Sequence, residues 1–163
     1  FNVEILAYEP YVSEELVKEL DVRRVDLKTL LRGSDIVTIH TPLTEETRGL
    51  IGKEELEIMK PTAILINAAR GSIVDEKELY HALKDGKIRF AVIDVWAEEP
   101  LKPRNPLFEL ENVQLSIHTA SWTRQAFQDI MRLSAQNVIR VIKGEKPLNI
   151  VNRDLLEAGL ETD

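Results

Sequence analysis

Three kinds of side chain in this sequence could together hold an anion and move a proton. Arg70 follows an apolar run, residues 63–67, and precedes Gly71. A planar guanidinium at such a strand end is suited to holding a carboxylate through two parallel hydrogen bonds. Taken alone, an arginine is more often a surface residue in an ion pair. His118 closes another apolar run, residues 113–117. Its imidazole gains or loses a proton near neutral pH, so it could serve as a general acid or base. A lone histidine, too, is more often structural. A carboxylate that orients the ring would fix its tautomer and favour its charged form. Glu98 and Glu99, in the stretch AEEP, are the neighbouring acids able to do this.

Elements must exist that bring these residues to one place. Five short apolar runs recur along the chain: residues 3–8 (VEILAY), 35–40 (DIVTIH), 63–67 (AILIN), 90–95 (FAVIDV) and 113–117 (VQLSI). Residues 22–25 could form a further strand, with Arg23 and Arg24 marking it as an edge. The runs are apolar on both alternations, the pattern of strands buried on both faces. Helical patterns lie between them. Ser13 can cap a helix over 14–20, and residues 26–31 form a short helix ended by Gly33. Residues 53–59 form another, stopped by Pro61, and Asp75 caps 76–84 with Gly86 after it. The longest helix runs from Thr123 to about Lys143. Such alternation predicts an α/β architecture with a mostly parallel sheet. In that architecture ligands bind beyond the carboxyl ends of the strands. Glu9, His40 with Thr41, residues 67–71, residues 94–99 and His118 all fall at those ends.

Composition narrows the partners. The 163 residues suit one domain with a sizeable core, 44% hydrophobic and 30% charged. A net charge of −7 argues against nucleic acid, whose phosphates call for a basic face. No apolar run approaches the ~20 residues of a membrane helix, and no secretory leader is visible. With zero cysteines there is no disulfide framework, thiolate metal site or cysteine nucleophile; no metal site is expected, and a cytoplasmic setting is. Residues 97–107 are proline-rich and read as a surface loop.

The ordered motifs carry a further signal. Residues 66–76 (INAARGSIVDE), 94–100 (DVWAEEP) and 116–123 (SIHTASWT) resemble the signature series of the D-isomer-specific 2-hydroxyacid dehydrogenases, in their NAD-binding domain. Residues 40–51 (HTPLTEETRGLI) resemble the preceding block of that family, and 146–152 (KPLNIVN) its usual ending. The resemblance covers essentially the whole chain. It implies a Rossmann-type doubly wound parallel sheet and a catalytic triplet of Arg70, Glu99 and His118, Glu99 being chosen over Glu98 because the family glutamate directly precedes proline. Asp94 resembles the residue that holds the nicotinamide carboxamide; a turn or cap role is the bland reading. Thr41 and Pro42 resemble the loop along the cofactor, and Ala68 and Ala69 keep the loop at Arg70 slim where the nicotinamide approaches. Glu9 can accept from both ribose hydroxyls of NAD, and neither Pro10 nor Tyr11 offers a cation for a 2′-phosphate, so NAD is favoured over NADP. His40 reads as structural and His81 as exposed. Trp96 and Trp122 read as core, pocket wall or interface.

The seven glycines, at 33, 49, 52, 71, 86, 144 and 159, contain no G-x-G. The dinucleotide loop would precede the strand that ends at Glu9. The expectation is therefore an incomplete Rossmann sheet lacking its first strand and glycine-loop helix. Residues 1–149 would be a partial NAD-binding domain and 150–163 a tail returning toward a substrate domain. The expected function is NAD-linked interconversion of a 2-keto acid and a D-2-hydroxy acid, with a homodimer implied by the resemblance. The rival expectation is an NAD(H)-sensing corepressor-like protein of the same fold.

Overall fold

The computed structural model describes residues 2–20, 22–101 and 103–153. Strands and helices alternate as β1 (Leu6–Ala7), α1 (Glu14–Glu19), β2 (Arg23–Arg24), α2 (Leu27–Gly33), β3 (Ile36–Ile39), α3 (Lys53–Ile58), β4 (Ile64–Asn67), α4 (Glu76–Lys84), β5 (Phe90–Ile93), β6 (Val113–Leu115) and α5 (Arg124–Ile142). The chain forms two compact units, residues 1–120 and 121–163. The tail expected over 150–163 lies outside the described residues from 154 onward.

Every strand pair in the first unit is parallel. β1 pairs with β2 in one small sheet, and β3, β4, β5 and β6 follow in order in a second. This is the open, parallel, Rossmann-like α/β sheet expected from the alternation of elements. The β1 and β3 edges are not bonded to each other. A groove of about 480 Å³ separates them, lined by Val3, Leu6, Leu30, Ile36 and Thr38 among others. It falls where the 3-2-1-4-5-6 order places its first strand.

That groove explains two departures from the sequence reading. Residues 3–8 were expected as one strand, yet only Leu6–Ala7 pairs, because ladder bonds exist on the β2 side alone. β3 was expected to be buried on both faces, but only Val37 and Ile39 are buried while Ile36 is 59% exposed. Ile36 and Thr38 line the groove. A smaller difference concerns Gly33, which ends α2 from inside the helix, with Ser34 as its C-cap.

The helices begin as their caps dictate. Asp26 accepts from Thr29 N and Thr29 Oγ1, at 2.9 and 2.6 Å. Asp75 accepts from Lys77 N and Glu78 N, and Thr123 from Ala126 N. These bonds satisfy donors that have no partner in a first helical turn. Gly86, just past α4, has φ +66°, a left-handed turn that glycine adopts without strain. Helices α3 and α4 carry the chain across from β3 to β4 and from β4 to β5. Between β5 and β6 the connection is the proline-rich loop instead, closed by a 3-10 turn, Pro106–Glu109, whose Leu107 is buried.

The core of the first unit gathers Leu31, Val37, Ile39, Leu56, Leu65, Ile73, Leu79, Leu83, Ile88 and Ile93. Leu65 sits on β4 between β3 and β5 and is fully buried. Leu65→Ala should therefore destabilise the fold by about 2–5 kcal/mol, the range for truncating a buried leucine. Denaturant unfolding measures this, and a loss well under that range would show that β4 is not the centre of the core.

Candidate active site

The carboxyl ends of β4, β5 and β6 lie side by side, with Asn67 paired to Ile93 and Ile93 to Leu115. Asp94 directly follows β5. Its side chain is buried, and an ionised carboxylate in that position needs donors to replace water. The loop after β6 supplies them. Asp94 Oδ1 accepts from Ser116 Oγ at 2.5 Å and Thr119 N at 2.8 Å, and Oδ2 accepts from Ala120 N at 2.8 Å. The Asp94 carbonyl accepts from His118 N at 2.7 Å. His118 itself has φ +62°, a left-handed conformation uncommon outside glycine. One residue thus fixes the turn that carries the histidine. Burial, the strongest influence on the Asp94 carboxyl, pushes its pKa up. The hydrogen bonds from Ser116, Thr119 and Ala120, together with the nearby His118, outweigh it and hold the value below the ordinary 3.8.

His118 Nδ1 meets Glu99 Oε2 at 2.9 Å. Glu99 Oε1 accepts from Trp96 N at 3.1 Å. The Glu99 carboxyl is held below its ordinary 4.5, first by the bond from His118, then by the bond from Trp96, with the Arg70 charge contributing. An ionised carboxylate can only accept, so His118 Nδ1 carries the proton of this bond. That leaves Nε2 as the ring atom free to take or give a proton. Glu98 was the competing acid; the His118 bond described here is to Glu99.

Arg70 stands on the loop after β4. Buried Asn67 shapes this loop: its Oδ1 accepts from Ala69 N at 3.1 Å and its Nδ2 donates to the Arg70 carbonyl at 3.0 Å. The exposed guanidinium donates to the Ala69 carbonyl at 2.6 Å. Gly71 then packs against the Trp96–Ala97 peptide. A Cβ at residue 71 would sit 1.9 Å from the Trp96 carbonyl carbon, so only glycine fits. That contact draws the Arg70 loop and the Glu99 loop together. Trp96 is itself buried, and its Nε1 donates to the Ser116 carbonyl at 2.8 Å, tying the Glu99 loop to the end of β6.

Of the remaining sequence candidates, Glu9, Thr41, Pro42, Ala68 and Ala69 also follow strand ends. Glu9 lies just past β1 and accepts from Tyr11 N at 3.1 Å. The Tyr11 hydroxyl donates to Glu46, which bridges the loop after β1 to the loop after β3. Thr41 and Pro42 begin that second loop, and the Pro42 carbonyl accepts from Thr47 Oγ1. Ala68 is exposed and Ala69 half-buried, so the loop at Arg70 presents little bulk. These features suit a dinucleotide lying along the strand ends, with a carboxylate at its ribose and a slim loop near its reactive ring. His40 Nε2 lies 3.0 Å from Thr38 Oγ1, and His81 is exposed on α4. Trp122 is 77% exposed and is no part of a core. Asn67 and Ser116 went unassigned in the sequence, where their signal was a polar residue closing an apolar run.

The family model for the D-isomer specific 2-hydroxyacid dehydrogenase, NAD binding domain, matches residues 1–120. The chain belongs to this family. A D-3-phosphoglycerate dehydrogenase of Archaeoglobus fulgidus is 44% identical over 156 residues, covering 96% of this chain and 30% of that protein. A glyoxylate reductase of Korarchaeum cryptofilum is 45% identical over 157 residues, covering 96% of this chain and 47% of that protein. The chain therefore spans less than half the length of either relative. Among solved structures, a D-lactate dehydrogenase with NAD+ from Lactobacillus jensenii superposes with a TM-score of 0.83 at 31% identity, over 93% of this chain and 49% of that one. The fold is thus that of an NAD-binding Rossmann domain. Among the described residues, no helix is long and apolar enough to cross a membrane.

Two outcomes follow from this geometry. Gly71→Ala forces apart the Arg70 and Glu99 loops and should destabilise the fold by about 1–3 kcal/mol, the usual cost of overpacking. An unchanged unfolding midpoint would show that the close approach is not needed. The second concerns acid. A carboxyl whose value is depressed by folding stabilises the native state fully above its unfolded value and loses that contribution as pH falls through the folded one. The Asp94 contribution is accordingly whole above 3.8 and fades below it. Asp94→Asn should lower Tm at neutral pH and flatten the fall of Tm on acidification. Parallel Tm–pH curves for the two proteins would contradict this.

Proposed function

We propose that this chain forms the NAD-binding and proton-transfer half of an enzyme interconverting a 2-keto acid and a D-2-hydroxy acid. The observation that carries the reading is the bond between His118 Nδ1 and the Glu99 carboxylate, 2.9 Å long, in a pair nearly half exposed at the sheet edge. In reduction His118 Nε2 gives its proton to the ketone oxygen, and in oxidation it takes the proton back from the hydroxyl. Glu99 holds the tautomer that leaves Nε2 free. Arg70, whose guanidinium is bonded only to its own loop among the described contacts, holds the substrate carboxylate and polarises the neighbouring carbonyl. When bound, NADH would supply the hydride in reduction and NAD+ would accept it in oxidation. Glu9 would hold its ribose, Thr41 and Pro42 its flank, and Asp94, through whichever lone pairs the loop leaves, its carboxamide. Ala68 and Ala69 would leave room for the nicotinamide. The reading includes a homodimer, as the family resemblance implies.

The named relatives bear the names of different acids, so the substrate class is 2-keto and 2-hydroxy acids of the glyoxylate, hydroxypyruvate, pyruvate and 3-phosphoglycerate type. NADH oxidation with a panel of such acids tests the activity. His118→Ala should lower kcat by ~10²–10⁴, the scale of general acid–base catalysis. A variant with near-normal kcat would remove His118 from the mechanism.

A further inference from the structure

Glu76 is the first residue of α4 and is not among the residues assigned to the reaction. Its Oε1 accepts from Ala97 N at 2.6 Å. Its Oε2 accepts from Asn105 Nδ2 at 3.2 Å. One carboxylate thus grips both ends of the segment from 97 to 105, whose residues 97–100 are all exposed and which carries Glu99. Asn105 passes the constraint on, since its Oδ1 accepts from Leu107 N and caps the turn that buries Leu107.

The Ala97 N–H belongs to the same peptide that Gly71 packs against. Gly71 sets how close this peptide comes, and Glu76 sets which way its N–H points. On the other side of Trp96, the preceding peptide directs Trp96 N onto Glu99 Oε1. Rotating the Trp96–Ala97 peptide therefore moves the backbone from which Glu99 reaches His118. The carboxylate also sits at the start of a helix, where the exposed N–H groups favour negative charge.

From this arrangement we infer that Glu76 is a positioning residue for the proton-transfer pair, holding the Glu99 loop so that Glu99 meets both Trp96 N and His118 Nδ1. The inference rests on the reading of Glu99 and His118 as the proton-transfer pair, but its geometry can be tested without turnover. The groups facing Glu99 are His118 from the loop after β6, Arg70 from the loop after β4, and the Trp96 N–H within its own loop.

The test follows the Glu99 carboxyl carbon by NMR as pH is lowered, in the intact chain and in three variants. In Glu76→Ala the Glu99 bonds to His118 and Trp96 are populated less, and its midpoint should rise toward 4.5, because those bonds are what hold it down. Glu76→Gln keeps an oxygen for Ala97 N, but its amide nitrogen cannot accept from Asn105 Nδ2, so it should give only the small rise of a freed far end. Asn105→Ala frees only the far end of the segment and should give a smaller rise. A purely structural role for Glu76 would lower Tm and leave the Glu99 midpoint where it was. That result in folded Glu76→Ala overturns the inference. Should Glu76→Ala fail to fold, an unmoved Glu99 midpoint in folded Asn105→Ala overturns it equally. Because the carboxyl titration does not depend on catalysis, a chain that shows the predicted rise yet proves inactive would refute the functional reading alone.

Discussion

A carboxylate taken out of water must find donors or lose its charge, and Asp94 is where this chain meets that demand. Four of the contacts that shape the turn around His118 end on Asp94: three on its carboxylate and one on its carbonyl. The left-handed backbone at His118 is held by these bonds. Strain of this kind survives only where the surroundings over-determine it. The position of the His118 ring thus depends on a residue that stands one strand away.

The second dependence is steric. The loops after β4 and β5 must approach closely for the Arg70 charge to influence Glu99. Gly71 permits it by having no Cβ, and the Trp96–Ala97 peptide fills the space. The Trp96 indole, bonded to the Ser116 carbonyl, joins the third loop to the other two. Three strand ends, each followed by one side chain of the proposed site, are therefore tied together by the Gly71 contact and the Trp96 bond. A parallel sheet offers this economy because its carboxyl ends all face one way.

Much of this was legible in the sequence, for identifiable reasons. Helix starts could be read because caps are local: Ser13, Asp26, Asp75 and Thr123 all accept from the first turn that follows them. Arg70, Asp94, Glu99 and His118 could be placed at strand ends because apolar runs stop before them. The choice between Glu98 and Glu99 needed the family resemblance, since spacing alone fits both. What could not be read depends on partners distant in sequence. Residues 3–8 have a strand's composition, but pairing limits β1 to Leu6–Ala7. Ile36 has a buried residue's chemistry, yet it lines an open groove. Glu76 looks like an ordinary acid in a first helical turn, and nothing local shows that its oxygens reach Ala97 and Asn105, more than 20 residues on.

On the proposed reading, a keto acid meets both Arg70 and His118 at the strand-end edge. The most direct measurement is a crystal structure of the protein with NADH and oxamate, an unreactive mimic of a 2-keto acid. It should show the oxamate carboxylate on the Arg70 guanidinium and its carbonyl oxygen within hydrogen-bond reach of His118 Nε2, about 2.6–3.2 Å, with His118 Nδ1 still on Glu99. Oxamate bound away from these two residues, or His118 turned so that Nε2 faces Glu99, would contradict it.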